Sequence, residues 1–456
     1  MKTKLDVLLV NAPSPSAGAI ISHRIHGLPP LGICYIATWL NNKGYPTRIF
    51  DFAITKNTIS VFKEMVKNEQ PSIIGISTST ETYKTGIRIA KAVKQFFPDC
   101  FIVLGGYHVS FEYESALSHN EIDCIVRGEG EITFEELCEV VLNQNGSIAD
   151  IKGIAYRDND KIVTTAERPF IPDLDILPIP DRSLFQLNEY SVPASISTSR
   201  GCPSRCIYCA ATALSGGRYR MRSPERIIEE IKALVEMGFH RIQFVDDSLT
   251  ISLPRLDKIL DLILSNGLEI TWDCESRVNG MTRNILEKMY SAGCRHIQFG
   301  VEAGSQKMLD SLKKGIKYED IFNTIKNCRD IGIIPSSGLI LGQPYDTKET
   351  MEETIQMGLK LQALGTRVMF SISTPFPGTE MYIRAKEMGL IIEEYDTDLY
   401  TTSYPVYSTK NFKTNDVRNA YYNAYKIIGE NMQKNMARKN AAYAKQTRDA
   451  VASFQE

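Results

Sequence analysis

The first 142 residues alternate between short apolar runs and longer stretches in which apolar residues recur at helical spacing. Runs of roughly 4 to 8 apolar residues are typical of buried parallel strands. Five strands are predicted at 4–10, 47–50, 73–77, 101–104 and 124–126, with helices at 33–42, 59–68, 83–97 and 132–142. This alternation predicts an α/β fold, a doubly wound, Rossmann-like parallel sheet.

Small and polar residues follow the strands of this sheet. The third strand ends in Ser77, Thr78 and Ser79, and the fourth is followed by Gly105 and Gly106. Ligands of doubly wound sheets bind beyond the carboxyl ends of the strands. Because glycine lets a large ligand approach the backbone closely, the pattern predicts a binding slot at this edge.

Residues 143–190 have a different pattern. Polar and apolar residues alternate over 153–165 around an Asp-Asn-Asp turn, which predicts a β-hairpin. Prolines and acidic residues then dominate up to residue 190 and predict an extended linker. The predicted units are residues 1–142, the hairpin and linker at 143–190, a second α/β unit at 191–390, and a helical region at 391–456.

A second series of strands and helices starts near residue 194. Its later strands are predicted at 241–245, 269–274, 296–299, 334–341 and 367–373. Six strands separated by helices, each ending in polar residues or glycine, predict a partial (β/α)6 barrel. The chemistry of such barrels gathers at these ends, which here carry Asp246, Asp247, Arg277, Glu302 and Gly342.

The C-terminal region is rich in Tyr, Asn, Lys and Ala. Apolar residues at helical spacing from Asp416 to Asn435 predict an amphipathic helix placed to close the barrel mouth. Tyr400, Tyr404 and Tyr407 are candidate substrate contacts, although tyrosines in such patterns more often belong to a core.

Composition narrows the class of protein. The chain has 43% hydrophobic and 23% charged residues and a formal charge of −2, as an ordinary soluble globular protein has. No apolar run approaches the roughly 20 residues of a membrane span. The balanced charge argues against nucleic acid as the main partner. The absence of a signal-peptide pattern predicts a cytoplasmic location.

One cysteine motif stands out. Cys202, Cys206 and Cys209 have C-x3-C-x2-C spacing in a polar loop next to Gly201. Three thiolates so close together can bind a soft metal centre and leave one coordination position open for a substrate. The alternatives are structural zinc, which usually needs a fourth ligand, and buried free thiols in a loop too polar for a core. A disulfide framework is disfavoured in so long a chain without a signal peptide.

This spacing, with Tyr208 directly before the third cysteine, resembles the signature of the radical S-adenosylmethionine (SAM) enzymes. The resemblance implies a [4Fe-4S] cluster on the three cysteines, with SAM bound to the fourth iron. It further implies that Tyr208 and the strand edge at Gly342 lie near the adenine and that Asp246 and Asp247 lie near the methionyl amino group. Arg277 and Glu302 are then candidates for the ribose or the carboxylate. For each residue singly, a salt bridge within the barrel is the alternative.

The N-terminal unit resembles the cobalamin-binding domain that precedes many radical SAM cores. The resemblance implies that Ser77, Thr78, Ser79, Gly105 and Gly106 line the slot for the nucleotide tail. The Asp-x-His-x-x-Gly loop that supplies a cobalt ligand in other cobalamin domains is absent. We therefore expect no histidine on cobalt, and His108 to be solvated or hydrogen-bonded. The alternative is a Rossmann-like domain without a cofactor.

Together the two resemblances imply a cobalamin-dependent radical SAM methyltransferase. Such an enzyme removes a hydrogen from an unactivated carbon with a 5'-deoxyadenosyl radical and adds a methyl group from methylcobalamin. The substrate would be a small molecule or a peptide, and an external donor such as flavodoxin or ferredoxin would supply electrons. Cyclisation or rearrangement without methyl transfer is the main alternative. A methylthiotransferase is disfavoured, because the sequence predicts neither a second three-cysteine site nor a C-terminal β-barrel. The sequence does not identify a catalytic side chain.

Overall fold

The structure is a computed structural model that describes residues 5–14, 27–54, 57–390, 396–431 and 433. It contains a seven-stranded sheet, a six-stranded sheet and a two-stranded ribbon. Within these ranges, no helix has the length and apolar character needed to cross a membrane.

The seven-stranded sheet has the order β2-β1-β3-β4-β5-β6-β7. Its first five strands pair in parallel, which confirms the predicted doubly wound sheet. They are β1 (Val7–Asn11), β2 (Thr47–Asp51), β3 (Ile73–Ser77), β4 (Phe101–Gly105) and β5 (Cys124–Val126). The helices are α1 (Leu31–Asn42), α2 (Ile59–Glu69), α3 (Tyr83–Phe96), α4 (Tyr107–Phe111), α5 (Tyr113–Leu117) and α6 (Glu131–Asn143). The short helices α4 and α5 were not predicted.

The predicted hairpin consists of β6 (Ile154–Asp158) and β7 (Lys161–Thr164). β6 pairs antiparallel with β5, so the hairpin extends the N-terminal sheet, a pairing that the sequence did not predict. The proline-rich segment that follows is fastened to this domain. The Tyr190 hydroxyl donates to Asp51 at 2.7 Å, and the Asp181 N–H donates to Thr38 Oγ1 at 2.9 Å.

The six-stranded sheet is parallel throughout and has the strands in chain order, as a partial (β/α)6 barrel requires. Its strands are β8 (Ser195–Ile196), β11 (Arg241–Phe244), β12 (Thr271–Ser276), β13 (Cys294–Glu302), β14 (Ile334–Leu341) and β15 (Arg367–Ile372). A ribbon of β9 (Ser199–Arg200) and β10 (Arg220–Met221) follows the first strand. β12 ends two residues later than predicted, and β13 begins at Cys294, two residues before its predicted start.

The barrel helices are α7 (Ala210–Ser215), α8 (Pro224–Glu236), α9 (Leu253–Ser265), α10 (Arg283–Ser291), α11 (Gln306–Ser311), α12 (Tyr318–Ile331), α13 (Lys348–Ala363) and α14 (Glu380–Glu387). Local sequence explains where α8 begins. Ser223 Oγ accepts from the Arg226 N–H at 3.2 Å, and Pro224 occupies the first turn, where no N–H is needed.

A C-terminal helix covers residues 414–431, and the rest of the predicted span to Asn435 lies largely outside the described residues. Its apolar face, which includes Val417, Ala424 and Ile428, joins the barrel core. Tyr400 and Tyr407 are buried, whereas Tyr404 is exposed. The first two tyrosines are therefore core residues.

Candidate functional site

The cysteine loop connects β9 to α7 and depends on Gly201. Gly201 has a φ of 83°, and a Cβ there would lie 2.1 Å from the Arg218 carbonyl oxygen, so only glycine fits. Cys202 and Cys206 are buried and Cys209 is half-buried. The Thr212 hydroxyl donates to the Ser204 carbonyl at 3.1 Å and fastens the loop to α7.

Contacts from the barrel hold the middle of this loop. The Ile207 N–H donates to the Leu312 carbonyl at 3.2 Å, and the Ile207 carbonyl accepts from the Met381 N–H at 2.9 Å. Arg277 places Nη1 3.7 Å from Cys206 Sγ.

The three cysteines are free thiols. Within the described ranges, no three His, Cys, Asp or Glu side chains converge on a position for one metal ion. An iron–sulfur cube binds its thiolates at separate corners, so it needs no such convergence.

Glu302 ends β13 in a strained conformation. Its φ is 71°, and the pairing of β13 with β14 is irregular between Gly300 and Glu302. Its carboxylate lies 2.7 Å from Lys314 Nζ, and both side chains are buried. Lys314 Nζ also lies 3.4 Å from the Tyr208 hydroxyl. Strain of this kind is characteristic of functional sites. Lys314 contacts two predicted site residues here, Glu302 and Tyr208.

Carboxylates stand at three successive strand ends, Asp247 after β11, Glu275 in β12 and Glu302 in β13. Burial raises the pKa of Glu275, and the negative charges of Asp247 and Glu302 raise it further. Burial likewise raises the pKa of Asp247. Arg277 also lies at this edge, where it donates to the Lys314 carbonyl. The edge of the barrel therefore carries positive as well as negative side chains.

Asp246 and Asp247 have different surroundings. Asp246 is buried and accepts from the Thr198 N–H at 3.1 Å, the Thr198 hydroxyl at 2.8 Å and the Ser199 hydroxyl. It therefore fastens β11 to the segment that leads into the cysteine loop. Asp247 lines an open cavity instead. The predicted contact of the pair with the amino group stays a prediction, and the geometry favours Asp247.

Gly342 packs beneath the C-terminal helix. Its φ is 74°, its carbonyl accepts from the Tyr407 hydroxyl, and a Cβ would lie 2.7 Å from Val417. One side of this predicted adenine-flanking residue is thus covered by protein.

A cavity of about 440 Å³ separates the carboxyl edge of the N-terminal sheet from the cysteine loop. The N-terminal wall includes Ser77, Gly105 and Gly106, and the barrel wall includes Gly201 and Asp247. Three of the five predicted cobalamin contacts, Ser77, Gly105 and Gly106, therefore line the cavity.

The other two predicted contacts support the loops instead. Thr78 is buried and donates to the Gly105 carbonyl at 3.2 Å, and Ser79 bonds to Thr82 at the start of α3. His108 is buried against Tyr83 and bonds to the Thr80 hydroxyl at 3.2 Å, and burial lowers its pKa to about 4. Among the described residues that line the cavity there is no histidine.

Sequence reasoning missed Glu275 and Lys314 as site residues. Glu275 carried a usable signal, because it stands at a strand end like the residues that were chosen. Lys314 follows a short helix, and no spacing rule connects it to Glu302 or Tyr208.

Replacing Lys314 with methionine is expected to destabilise the protein by about 3–5 kcal/mol, because it leaves the Glu302 carboxylate buried without its partner. Urea unfolding of the anaerobically purified variant measures the loss. The control is Lys313→Met, since Lys313 is 47% exposed and pairs with Glu380 at the surface, where an ion pair contributes at most about 1 kcal/mol. Equal stability of the two variants would contradict this account of the pair.

The comparisons with known proteins agree with this arrangement. Residues 196–358 match the family model of the radical SAM superfamily, and residues 19–138 match that of the B12-binding domain. An uncharacterized methyltransferase of Pyrococcus horikoshii is 33% identical over 92% of each chain. The anaerobic magnesium-protoporphyrin IX monomethyl ester cyclase of Rubrivivax gelatinosus is 30% identical over 88% of this chain and 73% of its own.

A solved structure shares the fold. It is the radical SAM methyltransferase TsrM from Kitasatospora setae with cobalamin and a [4Fe-4S] cluster bound. It aligns with a TM-score of 0.73 at 20% identity, over 85% of this chain and 78% of its own. The domains and the cysteine loop thus define a radical SAM enzyme.

More narrowly, the chain belongs to the family of radical SAM enzymes that carry a cobalamin-binding domain. Its cofactors are a [4Fe-4S] cluster, SAM and cobalamin, as the sequence predicted. The alternative of a Rossmann-like domain without a cofactor is thereby set aside.

Proposed function

We propose that the protein methylates an unactivated carbon of a small molecule or a peptide. The observation that carries this proposal is the shared cavity, where the Gly105-Gly106 turn and the residue preceding Cys202 face the same space. When bound there, SAM with the reduced cluster supplies a carbon-centred oxidant, and cobalamin supplies a transferable methyl group. The full-length similarity to a methyltransferase supports the same reaction.

We assign the cluster to Cys202, Cys206 and Cys209. The charges at the neighbouring strand ends complement the amino acid part of SAM. Lys314 and Arg277 supply donors for its carboxylate, and the accessible carboxylate of Asp247 supplies an acceptor for its ammonium group. These contacts hold a charged substrate in one orientation.

Tyr208 and Glu302 complete the proposed SAM site. The Tyr208 ring packs against the barrel core, which suits a neighbour of the adenine. Glu302 is held by Lys314 at the strand end and is assigned to the ribose hydroxyls. Gly342 flanks the adenine only through the side of the strand that the C-terminal helix leaves uncovered.

The cobalamin slot is assigned to the wall formed by Ser77, Gly105 and Gly106. Thr78 and Ser79 act indirectly. The Thr78 hydroxyl donates to the Gly105 carbonyl, and the Ser79 hydroxyl accepts from the Thr82 N–H. A Cβ at Gly106 would lie 2.4 Å from the Thr78 carbonyl oxygen, so the turn tolerates only glycine. Cobalt is expected to have no histidine ligand from the described part of this wall.

Cyclisation or rearrangement without methyl transfer is the second candidate, favoured by the 30% identity to a cyclase. Both reactions need electrons, for which we propose flavodoxin or ferredoxin, and both suit a reducing cytoplasm.

The products decide between the two. Anaerobic enzyme loaded with cluster and cobalamin is incubated with methyl-deuterated SAM, a reductant and an extract of small molecules and peptides. Methyl transfer should give S-adenosylhomocysteine and 5'-deoxyadenosine in about equal amounts and one labelled methyl per product molecule. This is because SAM is consumed once as methyl donor and once as oxidant. A product formed with 5'-deoxyadenosine but without S-adenosylhomocysteine would overturn methyl transfer in favour of rearrangement.

A further inference from the structure

Ion pairs cross from the N-terminal domain to the segment just before the cysteine loop. Arg200, which ends β9, places Nη1 2.9 Å from Glu129 and Nη2 2.5 Å from Glu131. Arg220, its partner in β10, also lies 2.9 Å from Glu129. A planar guanidinium that bridges two carboxylates fixes both distance and angle, which a lysine cannot do.

Each partner in this contact lines the cavity between the two proposed cofactor sites. Glu129 lies in the loop after β5, Glu131 begins α6, and Arg200 is separated from Cys202 only by Gly201. Glu129 also accepts from the Ile171 N–H at 2.8 Å, so its orientation is set from a second direction. The Glu131 side chain is only 4% exposed, which limits screening by salt.

The α4 segment after β4 contacts the barrel segment that holds the middle of the cysteine loop. The Tyr107 hydroxyl donates to the Pro377 carbonyl, and the Tyr382 hydroxyl donates to Glu112 at 3.0 Å. The same barrel segment donates from the Met381 N–H to Ile207. Residues after β4 and residues after β5 thus both contact segments that adjoin the cysteine loop.

We propose that Arg200 is a positioning residue that, with Glu129 and Glu131, fixes the distance between the cobalamin slot and the cluster. This inference rests on the proposed cluster ligands and cobalamin wall. Because product formation needs the substrate carbon aligned with both cofactors at once, a shift of about 1 Å lowers it by up to roughly 100-fold. SAM cleavage depends on the barrel side alone and is expected to continue.

The test uses the full-length enzyme with both cofactors bound, in the variants Arg200→Lys, Arg200→Ala and Glu131→Gln. Pulsed electron paramagnetic resonance measures the magnetic coupling between the reduced cluster and Co(II) of cobalamin. The control is Arg283→Ala, which removes an exposed pair with Glu287 on α10, far along the chain from both loops. We expect the Arg200 variants to show a shifted or broadened coupling, and product per SAM cleaved to fall roughly 10- to 100-fold. The control should match the wild type.

A coupling equal to wild type in Arg200→Ala would overturn the proposal. So would weaker cobalamin binding with unchanged coupling in the bound fraction, since Arg200 would then be a cobalamin contact. If alanine prevents folding, Arg200→Lys and Glu131→Gln, which keep similar volume, decide the matter by the same signal. The coupling needs no methyl transfer, so a wild type that forms no S-adenosylhomocysteine would defeat the methyltransferase proposal and leave this one standing.

Discussion

Alanine in place of Cys202, Cys206 or Cys209 is expected to abolish reductive cleavage of SAM while leaving the fold intact. Each thiolate would hold one iron, so losing one leaves the cluster without its three-point attachment. The loop itself should persist, because it is held by the Ile207 backbone bonds, the Thr212 hydroxyl and the Gly201 conformation, none of which involves sulfur.

The measurement is 5'-deoxyadenosine formed from SAM and reductant, together with iron content, for each variant after anaerobic reconstitution. Matched controls are alanine variants of Cys274, Cys294 and Cys328, which are buried in the barrel core. These should keep iron near the wild-type content. Cleavage by the triple variant of Cys202, Cys206 and Cys209 would end the assignment of the cluster to this loop.

Gly201→Ala is expected to have nearly as large an effect on the cluster, although it removes no ligand. The new Cβ would lie 2.1 Å from the Arg218 carbonyl oxygen and 2.6 Å from Ser215 Cβ. The left-handed backbone conformation also costs an L-residue roughly 1–2 kcal/mol of conformational free energy. The backbone must therefore move at the residue next to Cys202, and cluster incorporation should fall strongly.

Gly216→Ala separates the clash from the conformational cost. Gly216 also has a positive φ, of 58°, but a Cβ there meets nothing within 4 Å. Iron per protein and the thermal midpoint of both variants are compared after identical reconstitution. We expect Gly216→Ala to lose stability modestly and to retain its iron. Similar iron content in the two variants would show that the close approach at Gly201 does not position Cys202.

Local pattern predicted much of the fold. The apolar runs of the N-terminal domain became β1 to β5 almost within their predicted bounds, because a buried parallel strand is read from composition alone. Local sequence also predicted the hairpin at 153–165. It did not predict that the hairpin pairs with β5, because this depends on which edge of the sheet other elements leave uncovered.

The paired aspartates show a second limit. Both follow the end of β11, and the sequence gives no reason to prefer one of them. Only the tertiary contacts separate them, because Asp246 bonds to Thr198 and Ser199 whereas Asp247 lines the cavity.

The sequence by itself determined the chemistry of this protein. Three cysteines at fixed spacing, strand ends in serine and glycine, and two alternating series of strands and helices are local features. They carry the resemblance to two known families, and that resemblance implied the cluster, SAM and cobalamin. Tertiary structure decided which charges meet. Lys314 meets Glu302 at the end of β13, 12 positions away, where the strand ends in a left-handed residue. Arg200 reaches Glu129, 71 positions away, only because two domains pack face to face. Such contacts depend on chain segments brought together by burial, and no local pattern records them.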